Sequence, residues 1–309
     1  MSSRSNSIAI PFAAGCLGIA LFSVMDAVMK HLVLEIGTYN ALVWRNGCGA
    51  TLAGLCFFAT RSRWPGREAL RLHLTRGLVG TVMAVLFFWG LGRVPLAQAI
   101  ALAFIAPLIS LYLAAVLLKE QIERRAIFAS LLGLAGVVVI FVGQADAELG
   151  HEALWGSLAV LASACLYAYN IILMRRQALV AKPLEVAFFI SGITSLALLT
   201  AAPVLAQVPA AEHWPAILLG ALLAFGSLLL LAWAYARAQA QHLAPVEYTS
   251  FIWASALGWL VFDERVSAFT LAGAALIVIA CLIAATRRGG MRREPDHALQ
   301  VESGVPGAS

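Results

Sequence analysis

The chain consists of long apolar runs separated by short polar connections. Each run has about the 17–25 residues that an α-helix needs to cross a bilayer, because a helix rises roughly 1.5 Å per residue. Membrane strands alternate in polarity and these runs do not, so the pattern predicts an all-α integral membrane protein with ten transmembrane helices. The runs lie at residues 8–29, 38–59, 74–92, 96–118, 126–143, 154–174, 184–207, 216–235, 243–262 and 268–285.

The composition supports a membrane protein and excludes a soluble one. Hydrophobic residues make up 61% of the 309 residues and charged residues only 12%, with a mean hydropathy of +0.88. A soluble globular chain carries roughly 25% charged residues, and this chain would expose large apolar patches to water. The five cysteines lie inside the apolar runs. They indicate small hydrophobic side chains and no disulfide, metal site or cofactor.

The basic residues are distributed unevenly between the two sides of the predicted membrane. With the N-terminus in the cytoplasm, only Lys30, Arg93 and Arg265 fall outside. Because Lys and Arg concentrate in cytoplasmic loops, both termini are predicted to be cytoplasmic and the acidic connection 144–153 external. The basic residues on the inside are Arg4, Arg61, Arg63, Arg67, Arg71, Arg76, Lys119, Arg124, Arg125, Arg175, Arg176, Lys182, Arg237, Arg287, Arg288, Arg292 and Arg293.

The first five predicted helices match the last five after a shift of about 144 residues. Each half has an odd number of helices, so the second half enters the membrane from the opposite side. The pattern predicts an inverted repeat, the architecture of alternating-access transporters, with halves at 8–143 and 154–285. The tail 286–309 is predicted to be cytoplasmic and disordered. The shift aligns Trp89 with Trp233, Arg93 with Arg237, Glu120 with Glu264, Asp26 with Asn170, and Leu113 with Leu257.

The segment 95–120, which begins PLAQAIALAFIAP, resembles the fourth helix of EamA-type members of the drug/metabolite transporter superfamily. Lys30 and Arg45 are similar to the first-half pattern of that family, and the resemblance covers nearly the whole chain. It implies transport of a small metabolite, since such relatives move amino acids, riboflavin, S-adenosylmethionine or drugs. One departure is Phe251 at the repeat equivalent of Pro107, so the two corresponding helices need not bend alike.

Three of the ionisable residues within predicted helices are candidates for function, because a charge there costs at least about 2.5 kcal/mol unless it faces a partner or water. Asp26 is either a proton or cation site or the partner of Lys30 one turn later. Arg45 forms a structural or gating ion pair with Asp26, or binds a substrate anion. Glu247 either exchanges protons, or reaches water or pairs with Arg237 or His242. We expect these three residues, Asp26, Arg45 and Glu247, to serve ion coupling or gating.

Two further carboxylates mark helix ends and are not predicted to be catalytic. Glu120 and Glu264 each stand at the C-terminus of a predicted helix, on opposite membrane faces. A carboxylate there opposes the helix dipole, so we expect pairing with Arg124 and Arg265.

Pro107 lies near the middle of the fourth predicted helix, where it removes a backbone hydrogen bond and kinks the helix. The kink is either a packing feature or one wall of a substrate cavity, because freed carbonyls in lipid need protein or water. Aromatic and amide side chains on neighbouring helices suit a small-molecule pocket, although single Trp residues also anchor at membrane interfaces. The predicted substrate-binding set is Gln98, Pro107, Tyr112, Tyr169, Asn170, Tyr248, Trp253, Trp89 and Trp233.

The motifs of other function classes are missing from the sequence. It contains no HExxH, GxSxG or GxxxxGK[ST] motif and no paired intramembrane aspartates, so neither an enzyme nor an ATP-driven pump is predicted. The sequence favours a secondary transporter of the inner membrane that moves a small organic metabolite, with the lipid bilayer and protons as partners and no nucleic acid. The alternatives are a membrane-embedded enzyme or a channel of the same topology.

Overall fold

The computed structural model describes residues 6–60, 64–118, 124–146, 150–235, 237 and 246–285. Within those residues all regular structure is helical, as the sequence predicts. Glu120, His242, Pro245 and the tail 286–309 lie outside the described part. The helices are α1 (Asn6–Ala59), α2 (Arg67–Leu91), α3 (Leu96–Ala103), α4 (Ala106–Leu118), α5 (Arg124–Asp146), α6 (Gly150–Ala178), α7 (Pro183–Leu199), α8 (Ala202–Leu205), α9 (Trp214–Tyr235), α10 (Thr249–Phe262) and α11 (Ala268–Ala285).

Several of these helices suit a membrane by length and composition. Five are long and apolar enough to cross it: Ile10–Ala59, Arg67–Leu91, Leu96–Leu113, Gly150–Met174 and Ala211–Ala234. Shorter apolar helices lie at Ile127–Gly143, Pro183–Leu199, Thr249–Phe262 and Ala268–Ile283. Such a set of apolar helices is that of a multi-pass membrane protein.

The first two predicted helices form one long helix that is interrupted at Gly37. This residue has φ 78° and ψ 157°, a conformation that only glycine adopts without strain. The chain turns there, so Val28 before the break and Arg45 after it both approach Gly220 of α9. The prediction that the first helix ends at Lys30 is wrong, because the helix continues for nearly two more turns.

The fourth predicted helix is two helices, α3 and α4, separated at Phe104 and Ile105. Pro107 has no N–H to offer the carbonyl of Ala103, and its ring clashes with a helical carbonyl four residues earlier. The chain tightens instead, with Ile105 N–H bonded to Leu102 and Leu108 N–H bonded to Ile105. The seventh predicted helix is also shorter than its apolar run, since α7 ends at Leu199.

The packing pairs follow the two halves of the sequence. Helix α1 packs on α9 as α2 packs on α6, and α4 contacts α6 as α10 contacts α1. The hydroxyl of Ser163 on α6 donates to the Met83 carbonyl on α2 at 2.9 Å, and that of Ser227 on α9 donates to the Gly18 carbonyl on α1 at 2.8 Å. Met83 and Ser227 are 144 residues apart and Gly18 and Ser163 are 145 apart, so the two crossings carry a serine-to-carbonyl hydrogen bond at nearly matching positions, with donor and acceptor helices exchanged.

Helices α5 and α11 pack against each other through two glycines. A Cβ atom on Gly136 would lie 2.6 Å from the Gly273 carbonyl oxygen, and one on Gly273 would lie 2.5 Å from the Gly136 carbonyl oxygen. Any side chain at either position would separate the helices. Small residues at such crossings allow backbones to approach closely in membranes, where packing and not hydrophobicity drives helix association.

Candidate functional site

A buried ion pair joins the first half of the chain to the second. The Lys30 ammonium on α1 binds the Glu264 carboxylate just after α10 and donates to the Val94 carbonyl at 2.6 Å. The other Glu264 oxygen accepts from the Leu96 backbone N–H, the first residue of α3, at 2.7 Å. Lys30 is only 4% exposed. We call these four residues, Lys30, Val94, Leu96 and Glu264, the clasp.

The clasp corrects two expectations from the sequence. Lys30 does not pair with Asp26, and Glu264 does not pair with Arg265. The chain reverses after α10 through Asp263, whose φ is 53°, and the Glu264 N–H then bonds to the Gly258 carbonyl. This turn directs the Glu264 side chain back toward α3, where it satisfies one of the free N–H groups at the start of that helix.

Asp26 and Arg45 face the same interior region but do not touch. Asp26 is 2% exposed, and its Oδ1 atom has no hydrogen-bond partner. Arg45 donates to Asn46 Oδ1 at 3.3 Å and lies 5.8 Å from the centre of the Phe88 ring, while its Nε is buried without a partner. The expected direct ion pair is therefore absent between these two residues, although their charges interact through space. A buried polar atom without a partner is costly, so this region suits a proton, water or solute.

The break between α3 and α4 contacts helices of the second half. The Cys281 thiol on α11 donates to the Phe104 carbonyl at 3.3 Å. The Tyr248 ring packs edge-on against the Phe104 ring, with centroids 5.3 Å apart. The break next to Pro107 thus lies at a contact between the two halves.

A polar network connects α2, α6 and α7. Arg76 Nε donates to Asn170 Oδ1 at 3.1 Å, and its Nη1 donates to Gln177 Oε1. Gln177 Nε2 lies 2.6 Å from His73 Nδ1, and His73 Nε2 lies 2.9 Å from Glu185 Oε1. His73 is fully buried and stacks on Phe189. We call Arg76, Gln177, His73 and Glu185 together with Asn170 the Arg76 network.

The sequence indicates only Asn170 of this network as a site residue. Arg76 follows a basic connection and therefore indicates orientation there. The spacing of the polar residues does point to the network. His73 and Arg76 are three apart on α2, and Asn170 and Gln177 are seven apart on α6, so each pair shares one helix face.

The structure distributes the remaining predicted site residues over several places. Gln98 is buried and donates to Ser157 on α6 at 3.1 Å. Glu247 is exposed and lies within electrostatic range of Tyr167 and Tyr248. Tyr112 and Tyr169 are half-buried, whereas Trp253 is 41% exposed. Only Tyr248, beside the helix break, and Asn170, beside Arg76, are joined to a larger cluster.

Trp89 and Trp233 have matching surroundings near helix ends. The Arg93 guanidinium lies 3.6 Å from the Trp89 ring centre, and that of Arg237 lies 4.2 Å from the Trp233 ring centre. Each arginine also donates to the carbonyl of its tryptophan. Arg93 further pairs with the exposed Glu152 at 2.8 Å. The match supports the repeat alignment and places both rings at cation–π contacts.

A comparison with known families decides what the chain is. A model described as the EamA-like transporter family matches twice, over residues 9–142 and 154–286. The chain belongs to this family. Membership confirms the resemblance seen in the sequence and the organisation in two EamA repeats. It also confirms a membrane transporter of small metabolites, and the related proteins are named as transporters, not enzymes.

Curated relatives match most of the length of the EamA chain. It is 27% identical to the pseudopaline exporter of Pseudomonas aeruginosa, over 87% of this chain and 93% of that protein. It is 27% identical to a riboflavin transporter of Rhizobium johnstonii, over 90% of each. An S-adenosylmethionine uptake transporter of Rickettsia bellii is 26% identical over 86% and 90%. A solved crystal structure, 21% identical, has the same fold with a TM-score of 0.57 over 91% of this chain and 97% of that chain.

Proposed function

We propose that this EamA protein is a secondary transporter that moves a small organic metabolite across the inner membrane by alternating access. It has ten spans in two inverted five-helix repeats, residues 8–143 and 154–285, with both termini in the cytoplasm. The matching helix pairs and the Ser163 and Ser227 hydrogen bonds at the two corresponding crossings support this arrangement. Two pseudo-symmetric halves of opposite orientation can expose one central site to either side of the membrane.

The observation that carries the proposal is the break between α3 and α4 at the contact between the halves. Irregular backbone within a membrane is tolerated only where protein or a water-filled cavity satisfies its polar groups. The break is lined by Phe104 from one half and by Tyr248 and Cys281 from the other. We infer that the substrate passes beside it, near the predicted residues Pro107, Tyr112, Tyr169 and Trp253, while Gln98 holds α3 against α6.

The clasp acts as one gate. It ties α1, α3 and the end of α10 together, and in the proposed topology it lies on the outer side. Its four groups satisfy one another, and both Leu96 and Val94 are almost fully buried. The repeat equivalent of Lys30 is Met174, so the opposite side has no ammonium group at the matching position. The gate on the cytoplasmic side therefore closes without an ion pair of the Lys30–Glu264 kind.

Asp26 and Arg45 form the coupling region. A carboxylate 2% exposed, with an oxygen atom lacking a hydrogen-bond partner, gains from binding a proton. Arg45 lies across the same region and stabilises the ionised form when the proton leaves. Glu247 is the second candidate for proton exchange, at the site of Tyr167 and Tyr248.

The relatives are named for pseudopaline, riboflavin and S-adenosylmethionine. These three substrates differ in size and ring system, and the names include an exporter as well as an uptake transporter. The relatives therefore support a small polar metabolite as substrate and leave its ring system and the direction of transport to experiment.

Counterflow in proteoliposomes tests the mechanism. The purified protein is reconstituted with an internal metabolite, and entry of the same labelled metabolite is measured for a panel that includes riboflavin and S-adenosylmethionine. Alternating access predicts that internal substrate accelerates labelled entry, whereas a channel gives flux without acceleration. Tyr169→Ala and Trp253→Ala should slow it, and Leu131→Ala, an exposed residue of α5, should not. The absence of acceleration for every compound would contradict the proposal.

Labelling of single cysteines in intact cells tests the topology. In a cysteine-free background, a cysteine at Arg71 should react with an impermeant reagent only after the cells are opened, and one at position 148 should react at once. The reverse pattern would contradict the orientation.

A further inference from the structure

We propose that Arg76 binds the carboxylate group of the transported solute. The inference rests on the transport function proposed above and adds a chemical class of substrate. It assigns a role to a residue that, from the sequence alone, counts only among the basic residues of the predicted cytoplasmic side.

The described partners of Arg76 carry no counter-charge. The Arg76 guanidinium is held by Asn170 and Gln177, and both partners are neutral amides. Within the described residues, no Asp or Glu oxygen lies within 4.0 Å of it. A guanidinium stays charged at any physiological pH. A charge within an apolar helix usually has a counter-charge or faces water. Arg76 can therefore still bind an anion as its counter-charge.

The hydrogen bonds around Arg76 hold its guanidinium in place before any solute binds. Arg76 donates to Gln177 Oε1, which leaves the Gln177 amide N–H₂ pointing to His73 Nδ1. His73 Nδ1 must then be an acceptor, so the proton of a neutral ring lies on Nε2 and is donated to Glu185. Each of these contacts then pairs a donor with an acceptor. If the Gln177 amide turned over, its N–H₂ group would face the Arg76 donor and its oxygen would face the His73 acceptor, so the network holds the guanidinium in one orientation.

Arg76 is not fully covered by protein. It is half-buried and lies nine residues, about 13.5 Å, along α2 from exposed Arg67. Among the described residues, its Nε and Nη1 donate to the two amides, which leaves Nη2 for a further acceptor. Tyr167, one turn before Asn170 on α6, has a partly exposed side chain.

The geometry favours a carboxylate. Arg76 has a planar fork of N–H groups, which matches the two oxygens of a carboxylate. We expect the partly exposed Tyr167 ring, one helical turn before Asn170, to offer an apolar face to the body of a small solute. A lipid headgroup phosphate presents the same kind of oxygen atoms, but the distance of Arg76 from the start of α2 favours a solute that enters the protein.

Matched pairs of acids and amides test the site directly. The full chain in neutral detergent is titrated with acetate, benzoate, nicotinate and indole-3-acetate, and with acetamide, benzamide, nicotinamide and indole-3-acetamide, and the melting temperature is followed. At least one acid should stabilise the wild type while its amide does not. Arg76→Gln should weaken that acid's binding by about 10- to 100-fold, the value of a charge-assisted hydrogen bond.

Two variants keep the test interpretable. Arg71→Gln removes an exposed arginine of the same helix and should bind the acid as the wild type does. Arg76→Lys keeps the charge and loses the fork, so its affinity should fall between those of the wild type and Arg76→Gln. If Arg76→Gln does not give a single folded species by size-exclusion chromatography, the Arg76→Lys comparison decides. Acid binding that is unchanged in Arg76→Lys and Arg76→Gln, or absent from the wild type for all four acids, would overturn the proposal.

Titrations in lipid nanodiscs distinguish a solute carboxylate from a lipid headgroup phosphate as the anion bound by Arg76. The titration is repeated in nanodiscs of phosphatidylcholine with and without phosphatidylglycerol. Stabilisation by phosphatidylglycerol that depends on Arg76, without stabilisation by any acid, would assign the site to a headgroup and overturn the solute proposal. Failure of counterflow in the wild type contradicts the transport mechanism, whereas counterflow with equal rates in Arg76→Gln contradicts only this inference.

Discussion

The ammonium group of Lys30 binds the carboxylate of Glu264, although 234 positions separate the two residues. Neither residue is satisfied by its sequence neighbours. Lys30 also donates to Val94, and Glu264 accepts from the first N–H of α3. These three contacts together join α1, the start of α3 and the end of α10, where the first half of the chain meets the second.

Replacing Lys30 with Met, the residue at its repeat-equivalent position, should destabilise the protein. Removing one partner of a buried ion pair costs about 3–5 kcal/mol, and somewhat less here because the Glu264 side chain is 19% exposed. Denaturant titration of Lys30→Met, Glu264→Gln and the double variant measures the effect. The double variant should be clearly more stable than the sum of the single effects predicts, because the two residues act together.

The control for the clasp is Glu152→Gln. Glu152 is paired with Arg93 but is 77% exposed, so its loss should change the free energy of unfolding by no more than about 1 kcal/mol. Equal effects of Glu152→Gln and Glu264→Gln, or strict additivity in the double variant, would show that the clasp contributes no more to the free energy of unfolding than an exposed ion pair does.

Gly136→Ala should separate α5 from α11. The added methyl group would lie 2.6 Å from the Gly273 carbonyl oxygen, which is backbone and cannot move aside alone. Overpacking of this kind typically costs about 1–3 kcal/mol. Gly80→Ala on α2 is the matched control, since a Cβ there meets no atom within 4 Å. It should be neutral or stabilise the helix by up to about 1 kcal/mol. Equal stability of both variants would contradict the close crossing.

Pro107→Ala should make transport slower without loss of stability. Alanine restores an N–H for the Ala103 carbonyl and permits a continuous helix, so stability should rise by at most about 3 kcal/mol. The helix would then be continuous at the place where Tyr248 and Cys281 contact the break. Counterflow and melting temperature are measured together. Pro203→Ala, in the first turn of α8 where proline is tolerated, should change neither. A faster or unchanged transport rate in Pro107→Ala would exclude a role for the break.

Asp26→Asn should lose gradient-driven accumulation and keep substrate exchange. The amide cannot carry a proton, yet it has the shape of the carboxylate, and removal of a buried charge should leave the free energy of unfolding unchanged or higher. Glu247→Gln is tested beside it, and Glu212→Gln, whose side chain is 78% exposed, serves as the control. Accumulation is measured in proteoliposomes with and without a pH gradient. Full pH-driven transport by both variants would exclude proton coupling through Asp26 and Glu247.

The sequence by itself determined the class of the protein. Apolar runs of membrane length, few charges and a match between the two halves are one-dimensional properties, and lipid allows only helices to satisfy the backbone of such runs. They predict the helical membrane protein, and the motif in 95–120 predicts its family. Pro107 predicts an interruption of its helix, because a missing N–H has the same effect in any helix.

The tertiary structure decided which polar residues meet. The partner of Lys30 is 234 positions away, and the Glu264 side chain reaches it only because the backbone turns at Asp263. In sequence, His73 and Arg76 stand at the start of the third predicted helix and look like basic residues that flank it. The packing of α2 on α6 and α7 joins them to Gln177 and Glu185. Asp26 and Arg45 are 19 positions apart at similar depth, yet their side chains do not touch. Periodicity gives the face of a helix on which a residue lies, whereas side-chain contacts depend on helix crossings and turns that involve the whole chain.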